Sequence, residues 1–114
     1  MSRCLLLEAS IMLIYAMSGT TDFKQGIYKI GEAAGNTQLH KRKKTFQTYC
    51  RETVHVHALW DIGNMPKKSD NRLHDLFKEY KCGHGGTEFF EGLPLDKLND
   101  GAESLFGSSV KRLL

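Results

Sequence analysis

The chain has 114 residues, of which 40% are hydrophobic and 10% aromatic, and it carries a net charge of +3. This length and composition predict one globular domain with a modest core. The charge is too mild for overall electrostatics to identify a partner. The three cysteines, Cys4, Cys50 and Cys82, include no CxxC pair, so we expect no disulfide framework and predict a reducing, cytoplasmic setting.

The apolar stretch from Leu5 to Met17 raises the alternative of a signal peptide. Glu8 interrupts this stretch, which is too short to span a bilayer, and we interpret its end as a strand. We expect no membrane association. Because Met12 offers an alternative start, we predict residues 1–11 to be an extension of unassigned role and residues 12–114 to be a single domain.

The predicted elements follow from apolar periodicity, strand-forming residues and turn signals. The first half of the chain predicts a strand near Leu13 to Met17, a turn-like stretch from Ser18 to Gly26, a strand near Gly26 to Glu32 and a helix capped by Thr37 and ending near Cys50. The second half predicts a strand from Val54 to Trp60, a helix capped by Ser69 and running from Asp70 to about Lys81, a short strand or ordered turn from Glu88 to Phe90, and a helix from Pro94 to about Leu105. This β-β-α-β-α-β-α order predicts an α+β fold in which a small antiparallel sheet, opened by a β-hairpin, is flanked by helices.

Polar groups occupy places where apolar ones are expected. The first two strands carry Tyr15 and Lys29, as if the hairpin displayed a phenol and an amine side by side. In the first long helix, Arg42 falls within the apolar stripe of Leu39, Phe46 and Tyr49. An arginine there either meets an anion or extends from the stripe edge to solvent.

Lysines form a second pattern. One compact basic block contains Lys41, Lys43 and Lys44, and a basic loop contains Lys67 and Lys68. Such groups bind phosphate backbones, which makes these five lysines candidate nucleic-acid-binding residues, although a solvated helix face has the same composition.

Three further groups are candidates on the later elements. Asp70 and His74 share a helix face with Leu73 and Phe77. An acid at a helix N-terminus and a boundary histidine with one backbone partner would explain them equally well. Glu88 follows a glycine pair and is either a further catalytic carboxylate or a structural partner of a lysine.

These segments together resemble the GIY-YIG nuclease superfamily, specifically the small phage-type branch in which Lys-Ile-Gly forms the second motif. The resemblance rests on Leu13-Ile14-Tyr15, on Lys29-Ile30-Gly31, on Arg42, on Asp70-Asn71-Arg72-Leu73-His74 and on Thr87-Glu88-Phe89-Phe90. It covers roughly residues 12–98 and departs from the usual pattern at Asp70, where glutamate is more common.

The resemblance implies a divalent-metal-dependent endonuclease that acts on nucleic acid, with DNA as the expected substrate and Mg²⁺ or Mn²⁺ as cofactor. The implied roles are Tyr15 as general base or as the group that orients the attacking water, Lys29 beside it, Arg42 on the scissile phosphate, Asp70 as metal ligand and His74 behind that ligand or facing phosphate. An inactive nucleic-acid-binding module on the same fold is the alternative.

A zinc site is a third interpretation. His55 and His57 lie two residues apart on a predicted strand, and Cys82 and His84 follow downstream. This spacing is usable for zinc, but no CxxC or HxxxH pair supports it. The sequence assigns no oligomeric state.

Overall fold

Within the part of the chain that the structure describes, five antiparallel strands form one open sheet accompanied by four α-helices, which confirms the predicted α+β class. The computed structural model describes residues 11–83, 88–107 and 110–114. The strands are β1 (Met12–Gly19), β2 (Ile27–Ala34), β3 (Val54–Asp61), β4 (Phe89–Glu91) and β5 (Lys111–Arg112), and the helices are α1 (Thr20–Lys24), α2 (Gly35–Tyr49), α3 (Asp70–Leu76) and α4 (Leu95–Phe106). The strand order across the sheet is β4-β2-β1-β3-β5.

Strand β1 is the centre of the sheet because its side chains are apolar or small on both faces. All eight of its residues are buried. It pairs antiparallel with β2 on one side and with β3 on the other, so the predicted opening hairpin is present. A strand covered on both faces needs a near-continuous apolar sequence, and Met12–Gly19 has one.

Each face of the sheet has its own core. On one face, Ile14, Ile30 and Trp60 pack with Leu73 of α3 and Leu98 of α4. On the other face, a smaller core is covered by α2. Its members are Tyr15, Met17, Ala33 and Val54, with Leu39, Phe46, Val56 and Leu59 packed against them.

A β-bulge in β3 changes which face its side chains meet. Ala16 pairs with Ala58 while Met17 pairs with Val56, so His57 is the extra residue. Val56 therefore packs on the α2 side, whereas Ala58 and Trp60 pack on the α3/α4 side. A simple alternation along 54–60 would put these residues on one face, and the bulge is the reason that it does not.

The structure corrects the predicted elements in several places. The stretch predicted as a turn contains α1, where the Glu52 carboxylate accepts hydrogen bonds from the backbone N–H and hydroxyl of Thr21. Helix α2 begins at Gly35 rather than Thr37, because the Gln38 side chain accepts the N–H of Ala34 at 2.7 Å and so caps an earlier turn. Strand β5 was not predicted.

The second long helix is also shorter than predicted. It ends at Leu76 and is followed by a 3-10 turn over Lys78–Tyr80. Ser69 stands at the N-cap position, but its hydroxyl donates to the Pro66 carbonyl instead of capping. The Phe77 ring packs where a β-carbon on Gly101 would lie 2.6 Å from it, so the glycine of α4 accommodates the end of α3.

Two expectations concern the chain ends and membranes. Apart from Ile11, the predicted extension over residues 1–11 lies outside the described residues, and the single-domain assignment stays a prediction. Within the described ranges, no helix has the length and apolar character that crossing a lipid bilayer requires.

Candidate active site

Tyr15 and Gly31 form the centre of the candidate site. They are cross-strand partners on β1 and β2, and a β-carbon on Gly31 would lie 2.3 Å from the Tyr15 hydroxyl oxygen and 2.5 Å from Cζ. No side chain fits at such distances, so the phenol occupies the space that the glycine leaves free. The tyrosine and the glycine of the two motifs are therefore one packing unit.

The Tyr15 hydroxyl is influenced by charges from four other residues. Burial raises the pKa of Tyr15 to about 12; the nearby Arg42 guanidinium opposes this shift, and the carboxylates of Glu88, Asp70 and Glu32 add to it. The phenol is consequently neutral at physiological pH. The structure thus brings Tyr15, Arg42, Asp70 and Glu88 into one electrostatic neighbourhood.

Glu32 is the member of this neighbourhood that the sequence analysis missed. Its carboxylate accepts the N–H of Lys68 at 2.6 Å and the N–H of Asp70 at 3.1 Å. Lys68 has a φ of 68°, and this left-handed residue before a right-handed one turns both N–H groups toward a single anion. The sequence feature that could have indicated Glu32 is its position directly after Gly31 on a predicted strand.

Asp70 lies against Glu32 and is buried, with 6% of its surface exposed. Burial, a hydrogen bond with the Glu32 side chain and the negative charges of Glu32 and Glu88 raise the pKa of Asp70 to about 7. Carboxylates this close resist carrying full charge together unless a proton or a cation lies between them.

His74 is held in place one turn after Asp70. Its Nε2 lies 2.8 Å from the Ile30 carbonyl oxygen and 3.7 Å from Asp70 Oδ2. Because a carbonyl only accepts hydrogen bonds, Nε2 carries the proton, and the ring is fixed between β2 and Asp70. Asp70 and His74 are both buried on the face that they share with Leu73, as the helical spacing indicates.

Lys29 and Glu88 face each other across the end of β4. Their Nζ and Oε2 atoms are 3.4 Å apart, and the side chains are 24% and 42% exposed. Lys29 Nζ also lies 5.7 Å from the centre of the Phe46 ring. An ion pair this exposed contributes little to stability, so the pairing leaves both groups free to exchange partners.

A metal ion would find one suitable group of donors among the described residues. One ligand atom from each of Asp70, His74 and Glu88 lies within 4.8 Å of the others. With Glu32 beside Asp70, the donors are mainly carboxylate oxygens, which suit a hard cation such as Mg²⁺. The proton on Nε2 leaves Nδ1 as the free nitrogen of His74, so the carboxylates fit the ion better than the imidazole does.

The predicted basic residues lie on both sides of this site. Lys41, Arg42 and Lys44 are exposed on α2 and Lys43 is half-buried, while Lys67 and Lys68 are exposed in the loop before α3. Arg42 donates a long hydrogen bond of 3.5 Å to Gln38, and Tyr49, predicted on the apolar stripe, is 84% exposed. The stripe is thus apolar at Leu39 and Phe46 and opens to solvent along one side.

Comparison with known proteins assigns the family. The T5orf172 domain matches residues 12–105, which is most of the chain. The chain belongs to the T5orf172 domain family. No match was found among curated proteins or among solved structures. The T5orf172 domain is a nuclease-like, nucleic-acid-binding type of module, so the function of this chain is related to nucleic acid.

This assignment corrects the resemblance inferred from the motifs. The family that matches is T5orf172 and not GIY-YIG, so the GIY-YIG assignment and its phage-type branch are wrong. Short motifs misled because packing explains several of them: Gly31 makes room for Tyr15, and Phe90 belongs to the core beneath α3 and α4. Thr87 of the last motif lies outside the described residues.

The zinc interpretation receives no structural test, because His84 lies outside the described residues of this T5orf172 domain. The two strand histidines have other partners. His57 Nε2 lies 2.9 Å from Ser18 Oγ, and its ring stacks on Phe23 with the centroids 3.6 Å apart. His55 Nε2 lies 3.2 Å from Thr20 Oγ1.

Proposed function

We propose that this T5orf172 domain is an endonuclease that hydrolyses phosphodiester bonds of DNA with a divalent cation, Mg²⁺ or Mn²⁺. One observation carries the proposal: a buried phenol, an exposed guanidinium and three carboxylates influence one another electrostatically next to the Tyr15–Gly31 pair, although they come from five separate segments of the chain. Charged and titratable groups that converge in this way are typical of a catalytic site.

Each group has a role that its surroundings support. Arg42 is exposed and would bind the non-bridging oxygens of the scissile phosphate, where charge develops. Tyr15 would orient the attacking water through its neutral hydroxyl, since its raised pKa makes the phenolate unfavourable. Lys29 lies opposite Glu88 and would steady the water or the phosphate from the same side.

The carboxylates form the other half of the site. Asp70, with Glu88 next to it, would hold the cation, and His74 would position Asp70 from behind. When bound, the cation supplies electrostatic stabilisation of the leaving oxygen. In the net reaction the water oxygen bonds to phosphorus, the phosphorus–oxygen ester bond breaks, and the leaving oxygen gains a proton.

The test is plasmid nicking by the purified protein. Supercoiled plasmid should become nicked with Mg²⁺ or Mn²⁺, should stay intact with EDTA, and should be nicked again when the metal is restored. Single-stranded DNA and RNA, assayed in parallel, define the substrate. Cleavage that persists in EDTA would contradict the metal-dependent mechanism.

An inactive binding module is the second candidate, because α2 presents Lys41 and Arg42 next to partly or fully exposed aromatic rings, which suffice for binding without turnover. This candidate predicts that the protein retards DNA in a gel but leaves plasmid intact with every metal tried.

A further inference from the structure

A cleft of about 490 Å³ lies between one face of α2 and the strands β2 and β4. The side chains that give it its character are three cations and three aromatic rings: Lys29, Lys41, Arg42, Phe46, Tyr49 and Phe89. The helical members recur at intervals of three and four residues, which places them on one side of α2. Pockets for small ligands fall in the range of about 300–1,000 Å³.

The aromatic rings are arranged as a surface rather than as a closed core. Phe46 and Phe89 meet edge to face, with ring centroids 5.8 Å apart and an interplanar angle of 77°. Both are only partly buried, and Tyr49 is 84% exposed. Three neighbouring rings held partly in water form an apolar surface that is available to a flat partner.

Charge indicates what that partner is. The cations at the cleft, Lys29, Lys41 and Arg42, favour an anion, while the rings favour a flat apolar group. A nucleotide combines both in one molecule, and single-stranded nucleic acids bind proteins through basic grooves with aromatic stacking platforms. In a duplex the base faces are covered by their neighbours, so only an unpaired base can use such rings.

We propose that the cleft binds one unpaired base of the DNA, next to the phosphate that contacts Arg42. The domain would therefore recognise single-stranded DNA, or a duplex with an unpaired nucleotide, in preference to intact duplex. Arg42 connects the two places, because it both lines the cleft and acts on Tyr15. The inference relies on the proposed function in taking DNA as the partner, and it does not require cleavage.

The experiment measures binding in EDTA, so that no strand is cut. The probes are one oligonucleotide with 2-aminopurine, used as a single strand, as a perfect duplex and as a duplex with one bulged 2-aminopurine. We expect the single strand and the bulge to bind more tightly than the perfect duplex, and the fluorescence of 2-aminopurine to change on binding.

Substitutions of the aromatic residues in the cleft test which rings contact the unpaired base. Tyr49→Ala should weaken single-strand binding by about 5- to 150-fold, the range for loss of one stacked base, while Tyr49→Phe keeps the ring and should bind as wild type. Phe46→Leu retains an apolar side chain against the α2-side core but removes the ring. We expect it to abolish the change in 2-aminopurine fluorescence on binding. Phe23→Ala removes a 37% exposed aromatic on α1, outside the cleft, as the matched control.

The outcomes separate the two proposals. Equal affinity for duplex and single strand, with no effect of Tyr49→Ala or Phe46→Leu, would overturn the base-binding cleft and leave the endonuclease proposal standing. Preferential single-strand binding without nicking in any metal would support the cleft and reject the nuclease. Absence of binding to every oligonucleotide would overturn the base-binding cleft, and the endonuclease proposal would then be tested by the plasmid-nicking assay with Mg²⁺ or Mn²⁺ alone.

Discussion

Gly31 has no side chain, and the Tyr15 phenol fills the space that this leaves. An alanine there would place its β-carbon 2.3 Å from the Tyr15 hydroxyl oxygen, so the phenol or the strand must shift. We expect Gly31→Ala to destabilise the fold by about 1–3 kcal/mol, as overpacking does, and to slow cleavage by about 100-fold through displacement of Tyr15. Urea unfolding and a nicking assay measure the two effects.

Gly101→Ala is the matched control for this change. Its β-carbon would lie 2.6 Å from the Phe77 ring on the other face of the sheet, so the stability loss should be similar. Cleavage at low temperature should survive. If Gly31→Ala and Gly101→Ala had equal effects on cleavage, the Tyr15–Gly31 unit would have a packing role alone.

Tyr15→Phe tests the hydroxyl itself. Only one oxygen is removed from a ring that keeps its packing, so the fold should persist while nicking falls at least about 100-fold. Tyr28→Phe is the control, since it removes a buried hydroxyl that donates to the Leu93 carbonyl at 2.6 Å, away from the site. It should cost about 1 kcal/mol of stability and leave cleavage intact. Nicking by Tyr15→Phe at the wild-type rate would rule out the proposed role.

At the scale of elements, helix α3 begins with Asp70, whose ionised carboxylate destabilises the folded state. The pKa of Asp70 is raised from 3.8 to about 7, so the charged form of this carboxyl is less favourable in the folded state. The stability linked to the protonated carboxyl is complete below pH 3.8 and is lost as the pH rises from there through about 7. Asp70→Asn should therefore raise the free energy of unfolding at pH 8 while abolishing Mg²⁺-dependent nicking, because an amide lacks the charge that holds a hard cation.

Two companions complete this test of α3. Asp70→Glu keeps the charge and should retain cleavage. Asp75→Asn changes an exposed carboxylate on the same helix and should leave both stability and cleavage nearly unchanged. Cleavage by Asp70→Asn with unaltered Mg²⁺ dependence would move the metal site elsewhere, and Glu88 would be the next carboxylate to test.

Helix α2 carries the basic block, and Lys41 of this block lines the cleft. Replacing Lys41, Lys43 and Lys44 together by alanine should weaken DNA binding and flatten the log–log salt dependence by up to about three units, roughly one per lost phosphate contact. A second triple variant, at the exposed Lys24, Lys78 and Lys111, is the matched control. Arg42→Ala should reduce the rate at saturating DNA more than it reduces affinity. An unchanged salt slope in the α2 variant would reject this surface.

The order and type of most elements were predictable because apolar periodicity and turn signals are local. The features that could not be predicted depend on contacts between residues far apart in the sequence. Glu52 stabilises α1 across 31 residues, and Glu32 holds the loop before α3 through two backbone N–H groups. The bulge at His57 was not predictable either, since residues 54–60 alternate as in an ordinary strand. Because of the bulge, the apolar residues of β3 pack into both cores instead of one.

At the scale of the whole molecule, the sheet buries a tyrosine on each of its faces. Burial raises the pKa of Tyr15 to about 12, and burial also raises the pKa of Tyr28. Both folded-state pKa values exceed the unfolded value of 10, so the stability linked to these phenols is complete below pH 10 and is lost as the pH rises through the folded values.

Urea unfolding between pH 8 and pH 11.5 measures this loss. For Tyr15, the pKa difference between 10 and about 12 corresponds to a total loss of about 2–3 kcal/mol. About 2 kcal/mol of this loss falls below pH 11.5. Above pH 10, the free energy of unfolding should fall less steeply for Tyr15→Phe and for Tyr28→Phe than for the wild type. Comparison with the wild type separates the effect of each phenol from other effects of alkaline pH. Identical pH profiles for wild type and both variants would contradict the burial argument.

The site, taken as a whole, was predicted as a set of residues rather than as a geometry. The structure connects these residues to one another: Tyr15, Lys29, Arg42, Asp70, His74 and Glu88. Their catalytic roles stay predictions. The family was not predictable from tripeptides, because such motifs record local packing needs that unrelated proteins share. The aromatic surface of α2 was missed because Tyr49 fits the apolar period and yet faces solvent.

The central position of β1 has a consequence for biosynthesis. The ribosome releases this apolar strand before either of its neighbours, and β2 follows within a few residues, whereas β3 begins 35 residues after the end of β1. At about 5–20 residues per second, one edge of β1 stays without its partner for roughly 2–7 s. During that interval the nascent chain exposes an unpaired hydrophobic strand edge, the feature that promotes intermolecular β-pairing, and synthesis of β3 removes it.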